Sequence, residues 1–131
     1  MNAGRGVALA VMRILVVDDE AEVQKIREQL APRHIEVRGT ADADDAFRIW
    51  QSERLWDMVL AEYQIPGRKI GQTMELMKAI HAANPLQRIA IHTSDEQLQA
   101  GSFLVLRKPY PIDRLIRVLR LPVLPLRTRL S

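Results

Sequence analysis

Arg13-Ile14-Leu15-Val16-Val17-Asp18-Asp19-Glu20 is the stretch that decides the fold. Its apolar run is continuous and does not alternate, which suits a strand covered on both faces in a parallel sheet, and the acids place a charged turn at its exit. Residues 21–30 follow with Val23, Ile26 and Leu30 at steps of three and four, one face of a helix. Pro32 stops that helix. Ile35-Glu36-Val37 then reads as a short second strand, and Ala43, Ala46, Phe47 and Trp50 as the inner face of a second helix with Asp42 as its N-cap.

The same alternation continues. Met58-Val59-Leu60-Ala61 is a buried run closed by Glu62 and the turn signal Pro66-Gly67, and Met74, Met77 and Ile80 mark a third helix ended by Asn84-Pro85. Ile89-Ala90-Ile91 leads to His92-Thr93-Ser94, and Phe103-Leu104-Val105-Leu106 leads to Arg107-Lys108-Pro109. A last helix over 111–120 has Ile112, Leu115, Ile116 and Leu119 inward and Arg114, Arg117 and Arg120 outward. Strands alternating with helices imply right-handed crossovers, hence an α/β, doubly wound parallel sheet of five strands.

The chain of 131 residues fits one domain, placed at 12–120 between an N-terminal tail (1–11) and a C-terminal Pro/Arg-containing tail (121–131). It has no cysteine, which removes disulfides, thiolate chemistry and cysteine zinc sites, and His34, His81 and His92 show no metal-ligand spacing. The apolar stretch over 7–17 is broken by Arg13 and too short to span a membrane, so a cytoplasmic protein with no membrane partner is expected. Formal charge is +3, with seven basic residues after position 106 against Asp113 alone. That end reads as a solvated helix face followed by a tail, and no nucleic-acid partner is expected. The two prolines after Arg120, Pro122 and Pro125, exclude a helical DNA-binding unit in that tail, and no output domain is expected there.

In doubly wound sheets ligands bind beyond the carboxyl ends of the strands. The residues there are Asp18, Asp19 and Glu20, then Glu62, then Thr93 and Ser94, then Lys108. Clustered carboxylates need a compensating cation, and hard oxygen donors suit Mg²⁺, while a lysine and a hydroxyl suit phosphate oxygens. Singly, each residue reads as a cap or a turn acid. Together, at four strand ends, they mark a site. His92, beside Thr93, is read as a strand histidine outside that site, with a place near the acidic rim as the alternative, Trp50 and Trp56 as packing residues, and Met74 and Met77 as core fillers.

These residues, in this order, resemble the response-regulator receiver domain, the CheY-like phospho-accepting module of two-component signalling. The resemblance covers about residues 12–120 and rests on the run 14–20, on residues 57–67 with Gly71, on Thr93 and on Lys108-Pro109-Tyr110. It implies the flavodoxin-like strand order 2-1-3-4-5. It also implies Mg²⁺ held by Asp19 directly, by Asp18 through water and by the Gln64 carbonyl; Thr93 as the switch hydroxyl; Lys108 as the phosphate-binding lysine; and a cis Lys108-Pro109 bond.

Three departures shape the functional expectation. Glu62 stands where the family has its phosphoacceptor aspartate, one methylene longer, in chemistry where an error of about an ångström can cost ~100-fold. Asp57 cannot replace it, lying at the strand entrance roughly 16 Å away. The segment between Thr93 and Lys108 is short by about two helical turns, so the helix between strands 4 and 5 is expected to shrink to one turn near 95–99 or to be missing. Val105 occupies the position of the usual aromatic switch residue.

The expectation is therefore a stand-alone pseudo-receiver, not an enzyme, that works through protein–protein contact and is not phosphorylated on Glu62. Its partner would be a histidine kinase or a downstream signalling protein, with a homodimer as a further form, and Mg²⁺ would bind weakly or not at all. The alternative is a Mg²⁺-dependent phosphoacceptor of low efficiency. Glu62 would either mimic the phosphorylated state in part, carrying one charge against nearly two on phosphate, or merely neutralise Lys108.

Overall fold

A computed structural model describes residues 11–53, 55–98, 100–101 and 103–121. The N-terminal tail up to residue 10 and the C-terminal tail from residue 122 lie outside them. Five parallel strands, β1 (Met12–Val17), β2 (Ile35–Thr40), β3 (Met58–Glu62), β4 (Ile89–Thr93) and β5 (Leu104–Arg107), form one sheet in the order β2-β1-β3-β4-β5. The helices are α1 (Glu20–Leu30), α2 (Ala43–Ser52), α3 (Gln72–Ala83) and α4 (Ile112–Leu119), with a 3-10 turn at Ala31–Arg33 after α1. The parallel, doubly wound sheet is the one the alternating pattern predicts, and its strand order is the 2-1-3-4-5 that the resemblance implies.

Both faces of the sheet are buried. On one, Ile14, Val16, Met58, Leu60, Ala90 and Leu106 pack against α1 and α4; on the other, Leu15, Val17, Val59, Ala61, Ile89 and Ile91 pack against α2 and α3. Side chains alternate between faces along a strand, so the parity of a residue fixes the layer it meets. Asp19 caps α1 by accepting from the Glu22 N–H at 2.9 Å, and Asp42 caps α2 by accepting from the Asp45 N–H at 2.9 Å. Gly39 lets α1 lie close to β2, since a Cβ there would stand 2.2 Å from Val23 Cγ1.

Strand β2 runs three residues past the Val37 expected from sequence, because Val16 and Val17 of β1 carry the pairing on to Gly39 and Thr40. Strand β5 begins one residue later than expected and takes in Arg107, which pairs with Thr93. Among the described residues no helix connects β4 to β5. A short loop does its work: Ala100 is buried, and the Phe103 ring meets His81 of α3 edge-on at 6.1 Å. The Asp95 N–H donates to Thr93 Oγ1 at 3.1 Å, and the Arg107 guanidinium donates to the carbonyls of Asp95 and Leu98. Those two carbonyls would bond within a helix in a longer connection; here a strand-end arginine satisfies them.

Candidate functional site

The exits of β1, β3, β4 and β5 converge on a small charged pocket. Continuing the α1/α4 face by parity, Asp18 follows Ile14 and Val16, Glu62 follows Met58 and Leu60, and His92 follows Ala90. Glu62 and His92 are direct partners in the β3–β4 register. Three polar side chains thus stand in one row where the core face meets the rim. Asp18 is 1% exposed, His92 0% and Glu62 8%.

Lys108 closes the row from above. It leaves β5 just before the cis Lys108-Pro109 peptide, and its backbone N–H donates to the Thr93 carbonyl at 2.8 Å. Its Nζ lies 2.8 Å from Glu62 Oε1, 3.3 Å from Asp18 Oδ2 and 3.8 Å from Glu22 Oε2. Burial alone would depress the lysine, but the Glu62 hydrogen bond and the charges of Asp18, Glu62 and Glu22 outweigh it and hold Lys108 above its ordinary range.

Asp18 spends both oxygens inside the protein. Oδ1 accepts from the Asp19 N–H at 2.7 Å, while Oδ2 faces Lys108 and, at 2.8 Å, His92 Nε2. The His92 contact is short but misaligned: the ring N–H does not point along the line to the oxygen, so it is a close electrostatic contact and not a well-formed hydrogen bond. Burial pushes the Asp18 carboxyl up, yet His92, Lys108 and the Asp19 N–H together pull it below the usual carboxylate range. On the far side of the ring, His92 Nδ1 lies 2.9 Å from the Tyr110 hydroxyl. Burial pushes the Tyr110 phenol up, and the charges of Glu22, Asp18 and Glu62 push it further, so it stays a neutral hydroxyl.

The structure brings Asp18, Glu62 and Lys108 together as the strand-end reading expects. Asp19 turns its carboxylate to cap α1. Gln64 meets the site through its N–H, which donates to Glu62 Oε2 at 3.2 Å. Thr93 is buried beside it with its hydroxyl engaged by the Asp95 N–H. Asp57 lies at the opposite end of the sheet, accepting from the Arg13 N–H at 2.7 Å. His92 is the correction: read from sequence as lying outside the site, it stands directly behind Asp18, because its parity matches that of Glu62 and not that of Ile91. Glu22 and Thr73 were also not anticipated. Glu22 reaches Lys108 from the first turn of α1, and the Thr73 hydroxyl donates to the Glu62 carbonyl at 2.7 Å, tying α3 to the end of β3.

A family model described as the response regulator receiver domain matches residues 14–120. Among solved structures, a response regulator receiver domain protein from Clostridium thermocellum aligns with a TM-score of 0.71 at 24% identity, covering 83% of this chain and 91% of that one. The signal receiver domain of an HD domain-containing protein from Pseudomonas fluorescens Pf-5 gives 0.70 at 24%, covering 85% and 93%. The chemotaxis response regulator CheY4 of Vibrio cholerae gives 0.69 at 21%, covering 83% and 99%. At these identities the structural likeness speaks for the fold alone. No curated protein matches the chain.

Proposed function

The chain belongs to the response regulator receiver family of two-component signalling, and on that premise we propose that it is an atypical receiver that works through protein–protein contact and takes no phosphoryl group on Glu62. One observation carries the reading: the Glu62 carboxylate is already held by the Lys108 ammonium at 2.8 Å. In phosphoryl transfer the lysine serves the incoming phosphate oxygens and the acceptor oxygen must be free to attack in line. Here the longer glutamate reaches the lysine itself and fills that role with its own charge. One of the pocket's negative charges is met from within, and the domain presents one standing conformation to a signalling partner, a histidine kinase or a downstream protein. It is a binding module and not an enzyme.

Receiver domains typically bind Mg²⁺. The carboxylates of this pocket are taken by the protein's own donors and so do not fit such an ion. Asp19 caps a helix, and Asp18 and Glu62 face internal donors. No step of the proposed function passes through the ion.

The test is intact-mass measurement after incubation with Mg²⁺ and a small-molecule phosphodonor, beside a conventional receiver as positive control. The parent is expected to keep its mass while the control gains one phosphoryl group. A gain on Glu62 of the parent would overturn the reading in favour of a low-efficiency phosphoacceptor.

A further inference from the structure

We infer that His92 is the resident counter-group of the acidic pocket: with Lys108 it takes the places at Asp18 and Glu62 that a divalent cation needs, which makes the conformation of the strand ends independent of Mg²⁺. The inference builds on the proposed function and assigns a residue to it.

Mg²⁺ demands near-octahedral oxygen ligands at about 2.0–2.1 Å and keeps several waters, so it needs carboxylate oxygens that face open space. Asp18 Oδ2 faces His92 Nε2 at 2.8 Å and Lys108 Nζ at 3.3 Å, and Asp18 Oδ1 is taken by the Asp19 N–H. A carboxylate only accepts, so the ring nitrogen opposite it carries the hydrogen, and Nδ1 accepts from the Tyr110 hydroxyl. The ring nitrogen, 2.8 Å from that oxygen, therefore stands where the ion would approach. Lys108 sits at the rim with a side chain 19% exposed and has room to swing aside; His92 has none. It is 0% exposed, lies on a strand flanked by β3 and β5, and is held on its far side by Tyr110, which packs against the α1/α4 core.

The geometry also gives His92 a second consequence. Tyr110 stands two residues after Lys108, at the entry to α4, so the Asp18–His92–Tyr110 chain ties the pocket to that helix without the aromatic that Val105 replaces. His92 is a positioning residue in this scheme, acting through Asp18 and Tyr110.

Isothermal titration of MgCl₂ into the intact protein, with Mn²⁺ as a paramagnetic probe of the same pocket, tests it. The parent is expected to show no saturable binding across the millimolar range, while His92→Leu gains affinity by about tenfold or more and His92→Gln, which keeps a side-chain donor, stays close to the parent. Saturable binding by the parent overturns the inference whatever the variants do, so it stands or falls even if a variant fails to fold. Absence of binding in both the parent and a folded His92→Leu overturns the role given to His92. Binding without a mass gain on Glu62 would sink this inference and leave the proposed function intact; a mass gain would sink the proposed function directly.

Discussion

The two ends of the sheet handle charge in opposite ways. At the strand exits, Asp18, His92, Glu62 and Lys108 are buried or nearly so, and each faces another across 2.8 to 3.3 Å. At the strand entries, Arg13 pairs with Glu36 and Glu53 and lies 4.2 Å over the buried Trp56 ring, while Arg38 shares Glu53, the charged groups all being open to solvent to varying degree. The entry end also carries most of the large apolar side chains left exposed among the described residues: Val11, Leu55, Leu86, Leu104 and Leu121. The difference teaches where charge has consequences. Exposed pairs are screened and contribute little, whereas a buried pair that loses one member leaves an uncompensated charge behind.

Lys108→Met breaks the comparison most severely. It strands Glu62 and weakens the compensation of Asp18, so a loss of about 3 kcal/mol is expected in urea denaturation, the low end of the buried-pair range because Lys108 keeps some water contact. Arg13→Ala, at the other end, removes the pairs with Glu36 and Glu53 and the Trp56 stack and should cost about 1 kcal/mol. Glu36→Gln should fall within about 0.5 kcal/mol of the parent, since that carboxylate is mostly exposed. If the first and last effects proved equal, the contrast between the ends would be wrong.

Titration sharpens the same contrast. The Asp18 carboxyl is held below its ordinary 3.8, so its contribution to stability is complete above that value and drains away as pH falls through the lower folded-state value. Lys108 is held above its ordinary 10.5, so its contribution is complete below that value and is lost as pH rises through the higher folded-state one. A plateau between these limits is expected in melting temperature against pH. Asp18→Asn should flatten its acid edge, and Glu36→Gln should leave it unchanged.

Most of the fold was legible because β1, β3 and β4 are covered on both faces and so read as unbroken apolar runs. The second half of β2 was not: Arg38, Gly39 and Thr40 carry no apolar signal and owe their strand to pairing with β1. The acids and the lysine of the site were legible because strand ends can be counted. His92 was legible only as the less favoured alternative, since a histidine inside a strand announces nothing about Asp18 or Tyr110, distant along the chain. Parity would have found it: residue 92 is in step with Ala90, as Glu62 is with Leu60 and Asp18 with Val16. Glu22 was hidden for the opposite reason, being one of two acids in the first turn of a helix, where such residues are common.

The connection between β4 and β5, which has no helix among the described residues, also bears on where the molecule opens first. Strand β5 is four residues long, lies at the sheet edge and is thinly covered, so its amides should exchange with deuterium sooner than those of β1 or β3, which lie inside the sheet. Lys108 rides on the end of that strand, bonded through its N–H to Thr93. Each transient release of the edge then carries the lysine off its carboxylates, so the ion pair outlives no opening of that strand.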